Sequence, residues 1–239
     1  MKQTRLSVNI NKVALIRNSR PGEFPDLIKI ARDCESFGAE GITVHPRPDE
    51  RHIRYSDIPK LKKVVKTELN IEGNPTENFM QLVLDNKPDQ CTLVPDAPNV
   101  LTSDSGYDTL AQKSFLKEVV SILHESGIRV SIFIDPEVEQ IYGAKETGAD
   151  RVELYTGNFA KQYKTDPKKA VENHIRCGEA AVEAKIGLNA GHDLNLDNLA
   201  YYSSAVPRLL EVSIGHALIS DSLYYGLQTT IQLYKYRLR

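Results

Sequence analysis

The chain has 239 residues, 41% hydrophobic and 26% charged, with a formal net charge of -2. That length supports one large α/β domain spanning 1–239 with a substantial core. The charge balance excludes a general nucleic-acid or membrane-surface binder, so an anionic ligand must be held by local groups. No apolar run approaches the roughly 18 residues that cross a bilayer. The opening residues run into a strand without a signal-peptide pattern, and a cytoplasmic location is expected. Cys34, Cys91 and Cys177 are far apart and odd in number, and read as small buried hydrophobes.

Eight short apolar runs follow one another: Leu6–Asn11, Gly41–Arg47, Glu68–Gly73, Gln90–Pro95, Arg129–Asp135, Arg151–Gly157, Lys185–His192 and Glu211–Ala217. Helical patterns separate most of them. Alternation of this kind predicts a parallel sheet with crossover connections. Eight units in a chain of this length predict a (β/α)8 barrel with extra helices. An open doubly wound sheet ranks lower, because the spacing is even and no GxGxxG follows the first strand.

Between the strands, helices are expected over Pro25–Phe37, Thr76–Asp85, Leu110–Glu125, Glu137–Thr147 and Pro167–Ala184, each with apolar residues at helical spacing. Thr76 reads as an N-cap. Gly38, Gly127 and Gly148 stand where a left-handed cap would stop a helix. Two loops depart from the rhythm. Asn18–Pro25 follows the first strand and carries Arg20; Pro95–Thr109 is long, polar and placed where barrels carry lids. A final helix over Ser220–Leu238 is expected to cover the barrel, with Tyr225 and Tyr236 left over for a subunit contact.

In a barrel, chemistry sits at the C-terminal ends of strands. Those ends carry Asn9, Asn11 and Lys12, then His45, Arg47 and His52, then Glu72, then Glu153, then Asn189, Gly191 and His192, and last Gly215 and His216. His45, His192 and His216 all end predicted strands, whereas His124 and His174 fall inside helices and read as structural. A carboxylate in a core strand must be paired or functional. Glu72 and Glu153 are therefore either proton-transfer groups or partners of an arginine inside the barrel. Gly191 and Gly215 would let backbone N–H groups approach an anion, and Arg47 with His52 would make a second anion site.

Taken together, the motifs resemble the pyridoxine 5′-phosphate synthase family almost end to end. They are Asn9-Ile-Asn-Lys12 with Arg17-Asn-Ser-Arg20, Gly41-Ile-Thr-Val-His-Pro-Arg47 with Arg51-His52, Asn70-Ile-Glu72, Leu93-Val-Pro95 and Ser131-Ile-Phe-Ile-Asp135. Glu153-Leu-Tyr-Thr-Gly157, Asn189-Ala-Gly-His192 and Ile214-Gly-His-Ala217 complete the set. The resemblance implies a cofactor-free, metal-free (β/α)8 enzyme that assembles as a homo-octamer. It would condense 1-deoxy-D-xylulose 5-phosphate with 3-amino-2-oxopropyl phosphate to pyridoxine 5′-phosphate, phosphate and water. By the same resemblance His45 and Glu72 are proton acceptors, His192 a proton donor and Glu153 a transition-state support. Asn9, Arg20, Gly215 and His216 resemble contacts to the aminoketone phosphate; Arg47, His52 and Thr102 resemble contacts to the sugar phosphate.

Two places depart from that family's pattern. Asn11-Lys12 stands where many members have Asp-His, and Asp193 stands where Gly is common. Asn11 and Lys12 would still face the sugar phosphate, and Asp193 would leave a backbone N–H contact intact if its carboxylate points away. The competing reading is a metal-dependent sugar-phosphate epimerase or aldolase with His45, Glu72, His192 and His216 as ligands. The first strand lacks the HxH pair expected of it. A lysine imine aldolase and a non-catalytic phosphate binder rank lower still.

Overall fold

The structure, a computed structural model, describes residues 3–96 and 103–239. Eight strands close into one parallel barrel in sequence order: β1 (Arg5–Asn9), β2 (Gly41–Val44), β3 (Leu69–Gly73), β4 (Gln90–Leu93), β5 (Arg129–Ile134), β6 (Arg151–Tyr155), β7 (Gly187–Gly191) and β8 (Leu209–Ile214). The helices among the described residues are α1 (Asn11–Asn18), α2 (Leu27–Ser36), α3 (Ile58–Val64), α4 (Glu77–Asn86), α5 (Lys113–Glu125) and α6 (Val138–Thr147). They continue as α7 (Gly157–Tyr163), α8 (Pro167–Ala184), α9 (Leu199–Ala205), α10 (His216–Tyr225) and α11 (Leu227–Arg237). The chain is thus a (β/α)8 barrel with extra helices.

Local chemistry sets the helix ends. Thr76 caps α4, its hydroxyl accepting from Phe79 N at 3.4 Å, and Asp26 caps α2 by accepting from the N–H groups of Ile28 and Lys29. Gly148 ends α6 in the left-handed region, as its sequence context predicts. Lys87 and Lys185 end α4 and α8 in the same conformation. Lys185 therefore closes a helix instead of opening β7.

Two boundaries differ from the sequence expectation. β1 stops at Asn9, and Asn11 opens α1 rather than ending a strand. Ile10 turns the chain there, its carbonyl accepting from Val13 and Ala14 N, while Asn9 Oδ1 accepts from Asn11 N at 3.0 Å. Arg17 thus lies in a helix, buried against Asp57 at 2.8 Å, not in a loop. The expected last helix is two, because Gly226 at φ 74° breaks it between Tyr225 and Leu227.

The strands sort their residues by parity. Leu6, Val8, Ile42, Val44, Leu69, Ile71, Val130, Ile132, Val152 and Leu154 are buried in the core between sheet and helices. Burying each such side chain contributes about 1.5–3 kcal/mol relative to exposure. The other parity fills the lumen with polar groups. Ser7 Oγ meets Thr43 Oγ1 at 2.8 Å, Asn70 Nδ2 donates to Thr43 Oγ1 at 3.3 Å, and Thr92 Oγ1 donates to Asn70 Oδ1 at 3.0 Å. At the floor, Arg5 bridges Glu68 and Glu211, both at 2.8 Å, and Arg129 also pairs with Glu68. Among the described residues, the arginine-paired carboxylates of the barrel floor are Glu68, just before β3, and Glu211, within β8.

Candidate active site

The mouth is assembled from strand ends. His45 follows β2 directly, and its backbone N donates to Asn11 Oδ1 at 3.0 Å, so the start of α1 sets where the imidazole begins. Its Nδ1 lies 4.0 Å from Glu72 Oε2 and its Nε2 lies 3.8 Å from Asp96 Oδ2. One buried ring thus stands between two carboxylates. Arg47 closes the cluster from two residues further on, with a terminal nitrogen 2.6 Å from Asp96 Oδ2. Ser103 Oγ donates to the same oxygen at 2.7 Å.

Asp96 was not singled out in the sequence. It lies just past Val94-Pro95 in a segment whose length and polarity read as lid, although it is a polar residue at a strand end like the others. A cavity of about 40 Å³ lies beside the cluster, lined by His45, Arg47, Tyr55, Asn74, Thr76 and Asp96 among others.

Burial decides the charge states here. Desolvation, then the carboxylates of Glu153 and Asp96, hold Glu72 well above the usual carboxylate range. Desolvation, then the positive charge of Arg47, hold His45 well below the usual imidazole range. The mouth therefore disfavours charge on both groups, pushing Glu72 toward its protonated form and His45 toward its neutral one. His52 is also neutral, lowered to about 4 by desolvation and by Arg47, Arg51 and Lys12. Its Nδ1 accepts from Ile53 N at 2.9 Å, which leaves its proton on Nε2. Its ring stands edge-on to His45 at 6.4 Å.

The opposite rim belongs to β6 and β7. Glu153 is buried, and desolvation followed by Glu211 raises it to about 8. Its Oε1 occupies the space beside Gly191 where any Cβ would collide with it. Gly191 thus leaves room for Glu153 in its present position, a reason more direct than backbone contact with an anion. Thr156 donates its hydroxyl to Gly191 O at 2.7 Å and also contacts His192 O. That tie holds His192 and Asp193 at φ 87° and 59°, a pair of left-handed non-glycine residues of the sort found at functional sites. Tyr155 packs edge-on against the His192 ring at 5.1 Å, and Asp193 Oδ2 reaches His192 Nδ1 at 3.1 Å. Gly215 lies against Asn9, and His216 starts α10 where β8 ends.

The structure therefore joins Asn11, His45, Arg47, His52 and Glu72 on one side, with Lys12 close enough to act on His52. Glu153, Gly191, His192 and Asp193 lie on the other, and Glu153 acts electrostatically on Glu72 across the mouth. Arg20 is exposed just past α1, its backbone N weakly bonded to Arg17 O, outside both groups. Thr102 lies outside the described residues.

Among the described residues no group of three or more His, Cys, Asp and Glu is disposed to hold a metal ion, so His45, Glu72, His192 and His216 do not gather as ligands. His124 and His174 are structural. His124 pairs with Asp150 at 2.8 Å, and buried His174 bonds Tyr202 OH at 3.0 Å.

A family model described as "Pyridoxal phosphate biosynthesis protein PdxJ" matches residues 6–239. The chain belongs to that family. A relative from Cytophaga hutchinsonii, named pyridoxine 5'-phosphate synthase, is 58% identical over 231 residues, covering 97% of each chain. One of the same name from Flavobacterium johnsoniae is 55% identical over 236 residues, covering 99% of this chain and 100% of its own. Solved barrels superpose at low identity and show the fold alone. A 3-keto-L-gulonate-6-phosphate decarboxylase from Vibrio cholerae gives a TM-score of 0.67 at 8% identity, covering 99% of this chain and 98% of that one. A thiamine phosphate pyrophosphorylase from Pyrococcus furiosus gives 0.63 at 11%, covering 99% and 95%. The PdxJ family match thus rests on the sequence of nearly the whole chain, mouth included.

Proposed function

We propose that this chain is a pyridoxine 5′-phosphate synthase that joins 1-deoxy-D-xylulose 5-phosphate to 3-amino-2-oxopropyl phosphate, releasing phosphate and water. The observation that carries the reading is the approach of Glu72 to His45 at 4.0 Å in a buried mouth, where burial raises the carboxyl and lowers the imidazole. Imine formation, phosphate loss, ring closure and dehydration each need a proton delivered and another removed. An acid and a base one short step apart can do both in turn and reset each other. The substrate's own amine forms the imine, so no catalytic lysine is required.

In this reading His45 and Glu72 are the proton acceptors, each able to return the proton it has taken. His192 protonates the leaving group from the opposite rim, and Glu153 supports charge that develops between them. Arg47, His52, Asn11 and Lys12 hold the sugar phosphate, with Thr102 assigned to the same ligand. Asn9, Gly215 and His216 hold the aminoketone phosphate beside the first N–H groups of α10, and Arg20 and Asp193 are assigned to substrate binding with them. Dry walls protect the reactive intermediates. The same reading places the enzyme in the cytoplasm, which suits its three buried free thiols, and assembles it as a homo-octamer.

The test uses purified, chelator-treated protein with both phosphorylated substrates, following pyridine-ring absorbance and free phosphate together. The two signals are expected to rise in step. Absence of both, with sugar-phosphate isomerisation or cleavage restored by a divalent metal, would overturn the reading in favour of an epimerase or aldolase.

A further inference from the structure

Asp96 has the contacts of a ligand. Its Oδ2 takes Arg47 at 2.6 Å and the Ser103 hydroxyl at 2.7 Å, and it faces His45 Nε2 at 3.8 Å. Arginine, hydroxyl and imidazole around one anionic oxygen are the donors that recognise a phosphate oxygen. The carboxylate is nearly buried, its side chain 7% exposed, and the Arg47 side chain is 6% exposed. The Asp96 backbone is held separately, its carbonyl accepting from Asn74 Nδ2 at 3.0 Å. The carboxylate can thus swing by a change of χ1 while its Cα stays in place.

We propose that Asp96 is a built-in occupant of the anion seat at Arg47, and that substrate phosphate binds by exchanging with it. The inference rests on the reading of Arg47 as a contact to the sugar phosphate. Like-charge repulsion drives the exchange. Once a phosphate dianion arrives, a carboxylate 2.6 Å from the same guanidinium would face it at contact distance, and like charges there repel. Turning the carboxylate away relieves that repulsion.

The exchange also sets which ligands succeed. A monoanion offers Arg47 no more charge than Asp96 already does and gains little by displacing it. A phosphate dianion, with more charge and more acceptor oxygens, outcompetes the resident carboxylate. Asp96 thereby acts as a selectivity filter for phosphate monoesters over carboxylates of similar size. Its cost is a lower apparent affinity, because only the fraction of molecules with Asp96 turned away can bind.

The experiment titrates 1-deoxy-D-xylulose 5-phosphate into the full chain by calorimetry and measures KM and kcat for the same substrate. It compares wild type with Asp96→Asn, Asp96→Glu and Arg47→Ala. Asp96→Asn keeps the shape and removes the charge. It is expected to bind the sugar phosphate about tenfold more tightly and to lower KM by a similar factor. It is also expected to bind a carboxylate analogue of the sugar phosphate that wild type rejects. Asp96→Glu, which keeps the charge, is expected to retain weak, wild-type-like binding and serves as the folding control. Unchanged or weaker binding in Asp96→Asn, with weaker binding in Arg47→Ala, would overturn the exchange and leave the Arg47 assignment standing. Unchanged binding in Arg47→Ala would overturn that assignment and the exchange with it.

Discussion

Nδ1 of His45 and Oε2 of Glu72 lie 4.0 Å apart, too far for a direct hydrogen bond and close enough for a proton to pass after a small shift or through one water. Replacing Glu72 by Gln keeps the shape and abolishes the exchange. Glu72→Gln is expected to lower turnover by about 10²-fold or more, with an unchanged circular dichroism spectrum and unfolding midpoint. Normal turnover in that variant would remove Glu72 from the mechanism.

Gly191 should be irreplaceable for a different reason. A methyl group there would take the place of Glu153 Oε1. Gly191→Ala is expected to fold, because the flexible carboxylate can give way, and to lose roughly 10–100-fold in kcat as Glu153 is displaced. Wild-type kcat would show that the position of Glu153 does not matter.

Asp193 turns its carboxylate to the His192 ring, 3.1 Å from Nδ1, so the departure from glycine adds a partner for the histidine rather than a charge in the phosphate seat. Asp193→Gly suits the left-handed backbone, at φ 59°, and removes that partner. Stability should change by less than about 1 kcal/mol, while kcat falls roughly tenfold, the scale of one lost charged contact. An unchanged kcat would assign Asp193 to the loop alone.

Acid should weaken the fold through His174, which desolvation lowers from 6.5 to about 4. The unfolded chain binds the proton at the higher pH, so stability is full above 6.5 and is lost as pH falls from there toward 4. The contribution of this residue is on the order of 3 kcal/mol. His174→Phe is expected to flatten the fall in urea-unfolding free energy between pH 7.5 and 5. The slopes due to His45 and His52 remain, and an identical pH profile would show that His174 titrates normally.

Self-association should use the face made by α1 and α10, which pack together. Leu15 and Ile16 on α1 are half exposed, Leu223 and Tyr224 at the end of α10 are 76% and 86% exposed, and Phe24 is 88% exposed. Such apolar groups on neighbouring helices favour burial against a second copy. Leu223→Glu with Tyr224→Glu is expected to reduce the solution mass measured by light scattering. The same mass in wild type and variant would rule this face out.

The strands and most of the mouth were legible in the sequence because both follow from local rules. Alternating Ile, Val and polar residues announce a strand, and a histidine or glutamate at its end has few other uses. What was not legible depended on partners remote in the chain. Arg17 gains its partner only when the fold brings Asp57 to it, and the floor ion pairs join residues of β1, β5, β6 and β8 to Glu68 just before β3. Asp96 was hidden by its surroundings, since Pro95 and the polar run after it signal a loop and not a ligand. Gly226 was a visible helix breaker, overlooked because apolar residues continue at helical spacing on both sides.

The polar lumen divides the barrel's tasks by parity. Apart from the small cluster of Val94, Phe133 and Tyr155, its apolar packing lies outside the strands, where volume-conserving exchanges are tolerated best. Inside, Ser7, Thr43, Asn70 and Thr92 are joined hydroxyl to amide around the wall, and each is fixed by the next. Repacking the outward face of a strand therefore need not disturb the bonded ring of side chains on its inward face.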